Sequence, residues 1–276
     1  MNRKWLAYPY VVWMIAFILI PLFMILYYGL TRDEAGQTVF TFEFLLKAFE
    51  PIYLNAMVKS FLYAGFATLI CLVLAYPLAL ILAGKAGKSS AMLFIFVLPM
   101  WMNFLLRTYA WLTLLETNSG FVITLLMAIH LPPINIIGTP NAIILGMVYN
   151  FLPFMVLPIY NTLIKIDTHI LEAAHDLGAN SLQRLVKVIF PLSMPGVMSG
   201  ITMVFMPAVT SFVIPNLLGS GKVNLIGNLI EQQFLMTYNW GFGSAMSLIL
   251  MIAILLAMGL MSRLDKGSLE GGAGRW

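Results

Sequence analysis

The sequence predicts an all-α, polytopic membrane protein with six transmembrane helices and both termini in the cytoplasm. Hydrophobic residues make up 61% of its 276 residues and charged residues only 9%, and the mean hydropathy is +0.93. A soluble domain is about a quarter charged, and a soluble fold of this length cannot bury so much apolar surface. A soluble enzyme and a disordered chain are therefore excluded.

Six segments are apolar enough to cross the hydrocarbon of a bilayer, which takes about 20 residues each. Their approximate bounds are 6–30, 60–84, 91–115, 141–164, 196–218 and 242–262. A seventh apolar stretch, 121–131, is too short to span and ends at Pro132 and Pro133, which predicts a re-entrant or interfacial segment. We expect a single transmembrane domain over residues 1–276.

The distribution of positive charge predicts the orientation. With six spans and the N-terminus inside, ten of the 15 Lys and Arg residues fall in cytoplasmic segments and four in outer loops, with Arg107 inside the third span. Counting 121–131 as a span would leave five inside and nine outside. Because cytoplasmic loops of membrane proteins are enriched in Lys and Arg, the count favours six spans.

The cytoplasmic loop at 165–195 predicts two short amphipathic helices. Four apolar residues recur at helical spacing in the first helix: Ile170, Leu171, Ala174 and Leu177. Gly178 is expected to end it. Such a pair could lie on the lipid surface, pack against its own spans, or dock into the groove of a partner. Its balanced charge disfavours the lipid surface, because helices that lie there are usually rich in Lys and Arg.

The second helix of the loop has its own start and stop signals. Asn180, with Gln183 three residues later, is typical of a capping box. Pro191 is expected to end the helix, because proline interrupts helical hydrogen bonding. Pro195 and Gly196 are then expected to turn the chain back into the membrane, so the fifth span is predicted to be a separate helix.

The stretch EAAHDLGANSLQRLVKVIFPLSMPG, from Glu172 to Gly196, resembles the signature loop of ABC importer permeases. That pattern has Glu-Ala-Ala, then a glycine four positions after the second alanine, then Ile-x-Leu-Pro or a near variant; Phe190 replaces the usual leucine. In the family this loop docks into the ATPase subunit. The resemblance therefore implies that ATPase coupling rests on Glu172, Ala173, Ala174, Asp176, Gly178 and Pro191. It implies close approach at the two alanines, a polar anchor at Glu172 and a turn at Gly178.

Three further stretches resemble B-type permease subunits of spermidine/putrescine importers and, less specifically, permeases for iron(III), phosphonates and other ligands. They are residues 99–111, 145–160 and 219–234. The resemblance implies a type I importer permease fold in the bacterial inner membrane. It also implies three partners: a second, homologous permease subunit, an external substrate-binding protein, and a dimer of ATPase subunits that binds ATP and Mg²⁺. No cofactor of its own and no nucleic acid partner are expected for this chain.

The sequence shows no catalytic or metal-binding constellation. It has one cysteine and three histidines, and it lacks zinc, Walker and serine-hydrolase motifs. We expect a transport subunit rather than an enzyme, with ATP hydrolysis on a separate chain. The alternative class is a stand-alone channel or ion-coupled carrier. A proton-driven carrier is expected to bury acidic residues in its spans, whereas the acidic residues here cluster in loops.

A polyamine pathway requires carboxylates or aromatic faces, since a cation–π contact is worth about 0.5–2 kcal/mol. Seven residues could supply them: Trp101, Tyr109, Trp111, Glu116, Tyr149, Phe212 and Glu231. The apolar stripe of 225–235 predicts a short helix along the outer mouth that carries Glu231. The alternatives are an interfacial belt or helix packing for the aromatic residues, and solvated loop charges for the acids.

Arg107 does not match a cation pathway. An arginine at the centre of a membrane helix costs about 2.5–3.5 kcal/mol on insertion scales, so it is not expected to face lipid. It would repel a cationic substrate and attract an anionic one. We expect Arg107 to pair with an acidic residue outside the pathway.

Overall fold

Within the described residues, five long apolar helices form the body of the molecule. The computed structural model describes residues 8–34, 37–84, 94, 97–116, 120–121, 124, 127 and 136–273. The helices that are long and apolar enough to cross a membrane are α1 (Tyr8–Leu30), α3 (Pro51–Gly84), α5 (Pro140–Leu163), α7 (Ser181–Val209) and α10 (Trp240–Ala273). The predicted all-α membrane fold is thereby confirmed.

Shorter elements connect these helices. An antiparallel hairpin of β1 (Thr31–Glu34) and β2 (Gln37–Phe40) follows α1, with Thr31 paired to Phe40. The remaining elements are α2 (Glu43–Ala48), a 3₁₀ turn (Leu98–Trp101), α4 (Phe104–Leu115), α6 (Thr168–Asp176), α8 (Val213–Leu218) and α9 (Ile226–Leu235). The short helix predicted at 225–235 is therefore confirmed as α9.

The third predicted span, 91–115, is described only in part. Its described portion is the 3₁₀ turn and α4, which has 12 residues and begins after an extended Met102. Asn103 caps α4, because its side chain accepts a hydrogen bond from the backbone N–H of Leu105 over 2.8 Å. The count of six spans and the orientation of the termini stay predictions. The stretch 121–131 lies largely outside the described residues.

The second helix of the cytoplasmic loop and the fifth span form one continuous helix, α7, so the predicted stop at Pro191 is wrong. A π-helical turn at Leu185–Ile189 lies directly before the α-helical segment that holds Pro191 in its first turn. Within this continuous helix Pro191 removes one N–H donor, and Phe190 before it closes the π-turn by donating its N–H to the carbonyl oxygen of Leu185. The wider π-turn supplies the adjustment that lets the helix continue.

The predicted turn at Pro195 and Gly196 is also wrong, because both residues lie inside α7. A Cβ on Gly196 would lie 2.5 Å from Thr162 Oγ1 and 2.7 Å from the carbonyl oxygen of Pro158. The glycine therefore allows α7 to approach α5 closely, as small residues commonly do between membrane helices. At its C-terminal end α7 stops at Val209, earlier than the predicted 218, and the chain resumes as α8.

The core lies where α3, α5 and α7 pack against one another. One face of α3 is lined by small residues that are all fully buried: Ala64, Ala67, Cys71, Ala75 and Ala79. Their helical spacing places them on one stripe, which lets the neighbouring backbones approach. At the periphery, α1 packs on α10, and a Cβ on Gly29 would lie 2.9 Å from Leu248 Cδ1.

Candidate functional site

The cytoplasmic loop contains the helical start at Asn180 and the turn at Gly178 that the sequence predicts. Asp167 opens α6, since its Oδ1 accepts a hydrogen bond from His169 N over 2.9 Å. The helix ends at Gly178, whose φ of +81° is a left-handed value that favours glycine. The N–H of Gly178 donates to the carbonyl oxygen of His175 over 2.9 Å. These contacts confirm Gly178 as the end of the first helix.

A capping box opens α7. Asn180 Oδ1 accepts a hydrogen bond from Gln183 N over 2.8 Å, and Asn180 N donates to Gln183 Oε1 over 3.0 Å. Both contacts are local, which is why the sequence pattern could predict them. The turn between α6 and α7 is thus fixed on both sides.

The loop presents apolar side chains to its surroundings rather than to the core. The most exposed are Leu177 at 89%, Leu182 at 68%, Val186 at 56% and Ile170 at 46%. Glu172 Oε2 lies 3.4 Å from His169 Nδ1, and both side chains are exposed. Exposed apolar residues grouped on one short segment are typical of an interaction surface.

The six residues predicted to couple to the ATPase lie on two helices and in the turn between them. Glu172, Ala173, Ala174 and Asp176 lie on α6, Gly178 follows it, and Pro191 lies within α7. Ala174 is half-buried, whereas the other five are exposed. Pro191 therefore belongs to the long helix α7 and not to the turn of the loop.

At the end of the molecule away from this loop, a cavity of about 600 Å³ opens between the C-terminal end of α7, α9 and α10. Two of the predicted pathway residues, Phe212 and Glu231, line it. Most of the wall is apolar and includes Met206, Ile230, Phe234, Leu250, Met251 and Ile254. Glu231 is half-buried at this wall.

Two asparagines, which the sequence analysis did not single out, hold Glu231. Asn216 Nδ2 donates a hydrogen bond to Glu231 Oε2, and Asn228 Nδ2 donates to Asn216 Oδ1. Asn228 Nδ2 also donates to the carbonyl oxygen of Phe212 over 2.8 Å, and Asn228 Oδ1 accepts from Leu225 N over 3.1 Å. The carboxylate is thereby linked to the non-helical segment at residues 210–212, between α7 and α8.

The first turn of α9 packs tightly against that non-helical segment. A Cβ on Gly227 would lie 2.8 Å from the carbonyl oxygen of Ser211 and 2.9 Å from that of Thr210. The backbone N–H of Ile226 donates to Ser60 Oγ over 2.8 Å, which ties α9 to α3. These contacts fix the position of α9 and of the acid that it carries.

The aromatic residues predicted for a pathway are not all brought together. Trp111 and Tyr149 form an edge-on pair between α4 and α5, with ring centroids 5.3 Å apart and planes at 68°. Trp101, Tyr109 and Glu116 are exposed and line neither the cavity nor this ring pair in the described residues. The structure therefore groups four of the seven predicted residues into two pairs.

In the part of the chain that the structure describes, Arg107 lacks the acidic partner predicted for it. Its side chain is only 7% exposed, its Nε has no hydrogen-bond partner, and its guanidinium carbon lies 6.0 Å from the Phe104 ring centroid. Within the described ranges no carboxylate pairs with it. The reason is that α4 packs against α5 and α8, and neither helix contains an acidic residue.

Comparison with known proteins finds a family and several relatives. The family described as "binding-protein-dependent transport system inner membrane component" matches residues 53–269. The chain is 41% identical over 260 residues to the spermidine/putrescine transport system permease protein PotB of Haemophilus influenzae, covering 92% of this chain and 91% of that protein. It is also 41% identical over 255 residues to PotB of Escherichia coli strain K12, covering 90% and 91%.

Two solved structures share the fold. A chain of a bacterial alginate ABC transporter, in complex with an alginate pentasaccharide-bound periplasmic protein, has a TM-score of 0.80 at 16% identity and covers 96% of this chain and 95% of that one. A chain of the inward-facing MetNI methionine ABC transporter has a TM-score of 0.58 at 18% identity, with 78% and 95% covered. At these identities the likeness concerns the fold alone.

Proposed function

Because the chain belongs to the family of binding-protein-dependent transport system inner membrane components, we propose that it is a permease subunit of an ATP-driven importer of spermidine and putrescine. The family match covers more than half of the chain, and the long apolar helices make it a multi-pass protein of the bacterial inner membrane. The observation that supports spermidine and putrescine as substrates is the 41% identity to PotB proteins over nine-tenths of the chain.

The proposed role of the cytoplasmic loop is to receive force from an ATPase. Its exposed Leu177, Leu182 and Val186 form an apolar face without a partner in the described residues, and short helices with such faces commonly bind in grooves. Glu172, Ala173, Ala174, Asp176 and Gly178 lie at the same end of the molecule, and Pro191 follows in α7. ATP and Mg²⁺ are proposed to bind to the ATPase and not to this chain.

The proposed assembly contains this chain, a second and homologous permease subunit, two ATPase subunits and an external substrate-binding protein. The alginate transporter that shares the fold is in complex with a periplasmic protein, which supports a partner of that kind here. In the proposed mechanism, closure of the ATPases moves the loop and the helices alternately expose the substrate path to either side.

The residues proposed for the substrate path divide by position. Phe212 and Glu231 line the outer cavity, while Trp111 and Tyr149 offer a pair of aromatic faces between α4 and α5. Trp101, Tyr109 and Glu116 are exposed and stay proposals of the sequence alone. Aromatic faces attract organic cations through their ring quadrupoles, which is compatible with an amine substrate.

The second candidate function is import of an anion, and Arg107 is the observation that favours it. A buried guanidinium with an unpartnered Nε is an anion-binding group. The two candidates make opposite predictions for competition experiments, which a single uptake assay resolves.

The test is uptake of labelled spermidine by the native host with the chain present and deleted. We expect deletion to abolish saturable uptake, and we expect competition by unlabelled putrescine but not by phosphonate. If spermidine uptake survives deletion in a host without another polyamine importer, the proposed substrate is wrong. Saturable uptake of labelled phosphonate that is lost on deletion would then favour the second candidate.

A further inference from the structure

We propose that Glu231 binds a terminal ammonium group of the substrate in the outer cavity, and that Asn216 and Asn228 are positioning residues that hold its carboxylate. This inference rests on the proposed function, since it assigns a site to a cationic amine. It adds the atoms that recognise the charge, the wall that receives the methylene chain, and two residues that no sequence pattern identifies.

The lining of the cavity is complementary to the end of an aliphatic amine. Among the described residues that line it, Glu231 alone is ionisable, and most of the others are apolar. A terminal ammonium group needs a carboxylate, because a desolvated charge requires a counter-charge, and the methylene units next to it need an apolar wall. The volume of about 600 Å³ lies within the range of about 300–1,000 Å³ typical of small-ligand sites.

The amide groups have only one orientation that satisfies their partners. Leu225 N must donate to Asn228 Oδ1, so Asn228 Nδ2 faces the carbonyl oxygen of Phe212 and Asn216 Oδ1. Asn216 Oδ1 is thereby used as an acceptor, and its Nδ2 is directed to Glu231. Backbone groups at both ends thus determine the direction of the whole chain of hydrogen bonds.

This arrangement leaves one oxygen of Glu231 for a ligand. Oε2 accepts from Asn216, whereas Oε1 has no hydrogen-bond partner in the part of the chain that the structure describes. A carboxylate fixed through one oxygen loses little side-chain freedom when the other binds an ammonium group, so the preorganised site binds more tightly than a mobile one. Asn216 and Asn228 therefore act on affinity through Glu231 and do not contact the substrate themselves.

The first experiment measures KM and Vmax for spermidine uptake by the assembled transporter in its native host, with wild type and Glu231→Gln compared. Gln has nearly the same shape and no charge. We expect KM to rise about tenfold or more, as when one partner of a desolvated charge pair is removed. Vmax, normalised to the amount of chain in the membrane, should change by less than about threefold, because the loss is one of binding.

The matched control moves the charge by one position. Gln232 is exposed on the same helix and does not line the cavity. Gln232→Glu should leave KM near wild type, and the double variant Glu231→Gln with Gln232→Glu should have a KM as high as Glu231→Gln alone. If the double variant recovers the wild-type KM, general surface charge explains the effect and the proposed site is wrong.

The positioning role is tested with Asn216→Asp. This change puts a second carboxylate against Glu231, and two adjacent carboxylates share a proton with one pKa raised. We expect KM to depend more steeply on pH in this variant than in wild type measured in parallel. A residue with a merely structural role would lower the amount of transporter without changing this pH profile.

The outcomes separate this inference from the proposed function. If wild type shows saturable spermidine uptake and Glu231→Gln has the same KM, the site is wrong and the proposed function stands. If Glu231→Gln does not reach the membrane, Glu231→Asp keeps the charge on a shorter side chain. An elevated KM for Glu231→Asp then supports the site, and an unchanged KM overturns it.

Discussion

A methyl group added at Gly227 would prevent α9 from packing against the non-helical segment between α7 and α8. At Gly227 that methyl would lie 2.8 Å from Ser211 O and 2.9 Å from Thr210 O, closer than real Cβ contacts allow. Both opposing atoms are backbone, so neither can move aside as a flexible side chain would. The glycine is therefore required by proximity rather than by an unusual φ angle.

Gly227→Ala should destabilise the transporter and lower spermidine uptake. Overpacking of this kind costs about 1–3 kcal/mol. The control is Gly65→Ala, because a Cβ on Gly65 has nothing within 4 Å and alanine favours a helix. Thermal unfolding of the two purified variants checks the expectation, and equal melting temperatures would contradict it.

The sequence predicted the charged member of the outer site but not the residues that hold it. Glu231 stands out because acids are rare in this chain and it lies on an amphipathic helix. Asn216 contacts a residue 15 positions away and Asn228 one 12 positions away. Those contacts depend on a break between α7 and α8 that no local pattern indicates. The prediction of an acidic partner for Arg107 failed in the described residues for the same reason. The periodicity of a helix does not reveal which residues of other helices lie next to it.

At the scale of elements, local signals were reliable and proline was not. The cap at Asn180 and the end at Gly178 involve residues within four positions of each other, so the sequence could predict them. Pro191 has the same local appearance as a helix stop. It lies instead after a π-turn inside α7, and the sequence does not show where a helix will widen.

Replacing Gly178 should uncouple ATP hydrolysis from transport while the chain stays in the membrane. Its φ of +81° is strained for valine by about 1–3 kcal/mol, so Gly178→Val should reshape the turn between α6 and α7. Glu172→Gln tests the polar anchor on the same helix. The measurement is the ratio of spermidine uptake to ATPase activity, which we expect to fall several-fold in both variants.

The control for Gly178→Val has the same strain in a different place. Gly221 has a φ of +69° and open space around its Cβ position, and it lies on the side of the molecule away from the loop. Gly221→Val should keep the wild-type ratio. Unchanged coupling in both Gly178→Val and Glu172→Gln would exclude the proposed role of the loop.

At the scale of the whole molecule, composition and charge predicted the class of fold. Hydropathy located four of the predicted spans in single long helices and the first part of the fifth in the C-terminal half of α7. Hydropathy could not indicate that α3, α5 and α7 form the centre and that α1 packs at the edge on α10. That arrangement depends on small residues at the contacts between helices, such as Ala64 on α3 and Gly196 on α7. Sidedness rests on the distribution of Lys and Arg.

Cysteine labelling tests the predicted sidedness. Cys71 is the one cysteine of the sequence and is buried in α3, so Cys71→Ala gives a background without reactive thiols. Leu177→Cys and Met236→Cys would place single thiols at positions that are 89% and 72% exposed. A membrane-impermeant maleimide should label Met236→Cys in intact spheroplasts and Leu177→Cys only in urea-stripped inside-out vesicles. The reverse pattern would invert the topology.

The continuity of α7 has a mechanical consequence. Its 29 residues span about 43 Å at 1.5 Å per residue, from the capping box of the cytoplasmic loop to the carbonyl groups beside Asn228. A pivot of about 10° around the midpoint of such a lever moves its two ends by roughly 4 Å in opposite directions. A pull on the inner end is therefore a push at the outer one. In the proposed mechanism, one tilt of α7 would therefore displace the cytoplasmic loop and, at the same time, the backbone next to the amide groups that hold Glu231.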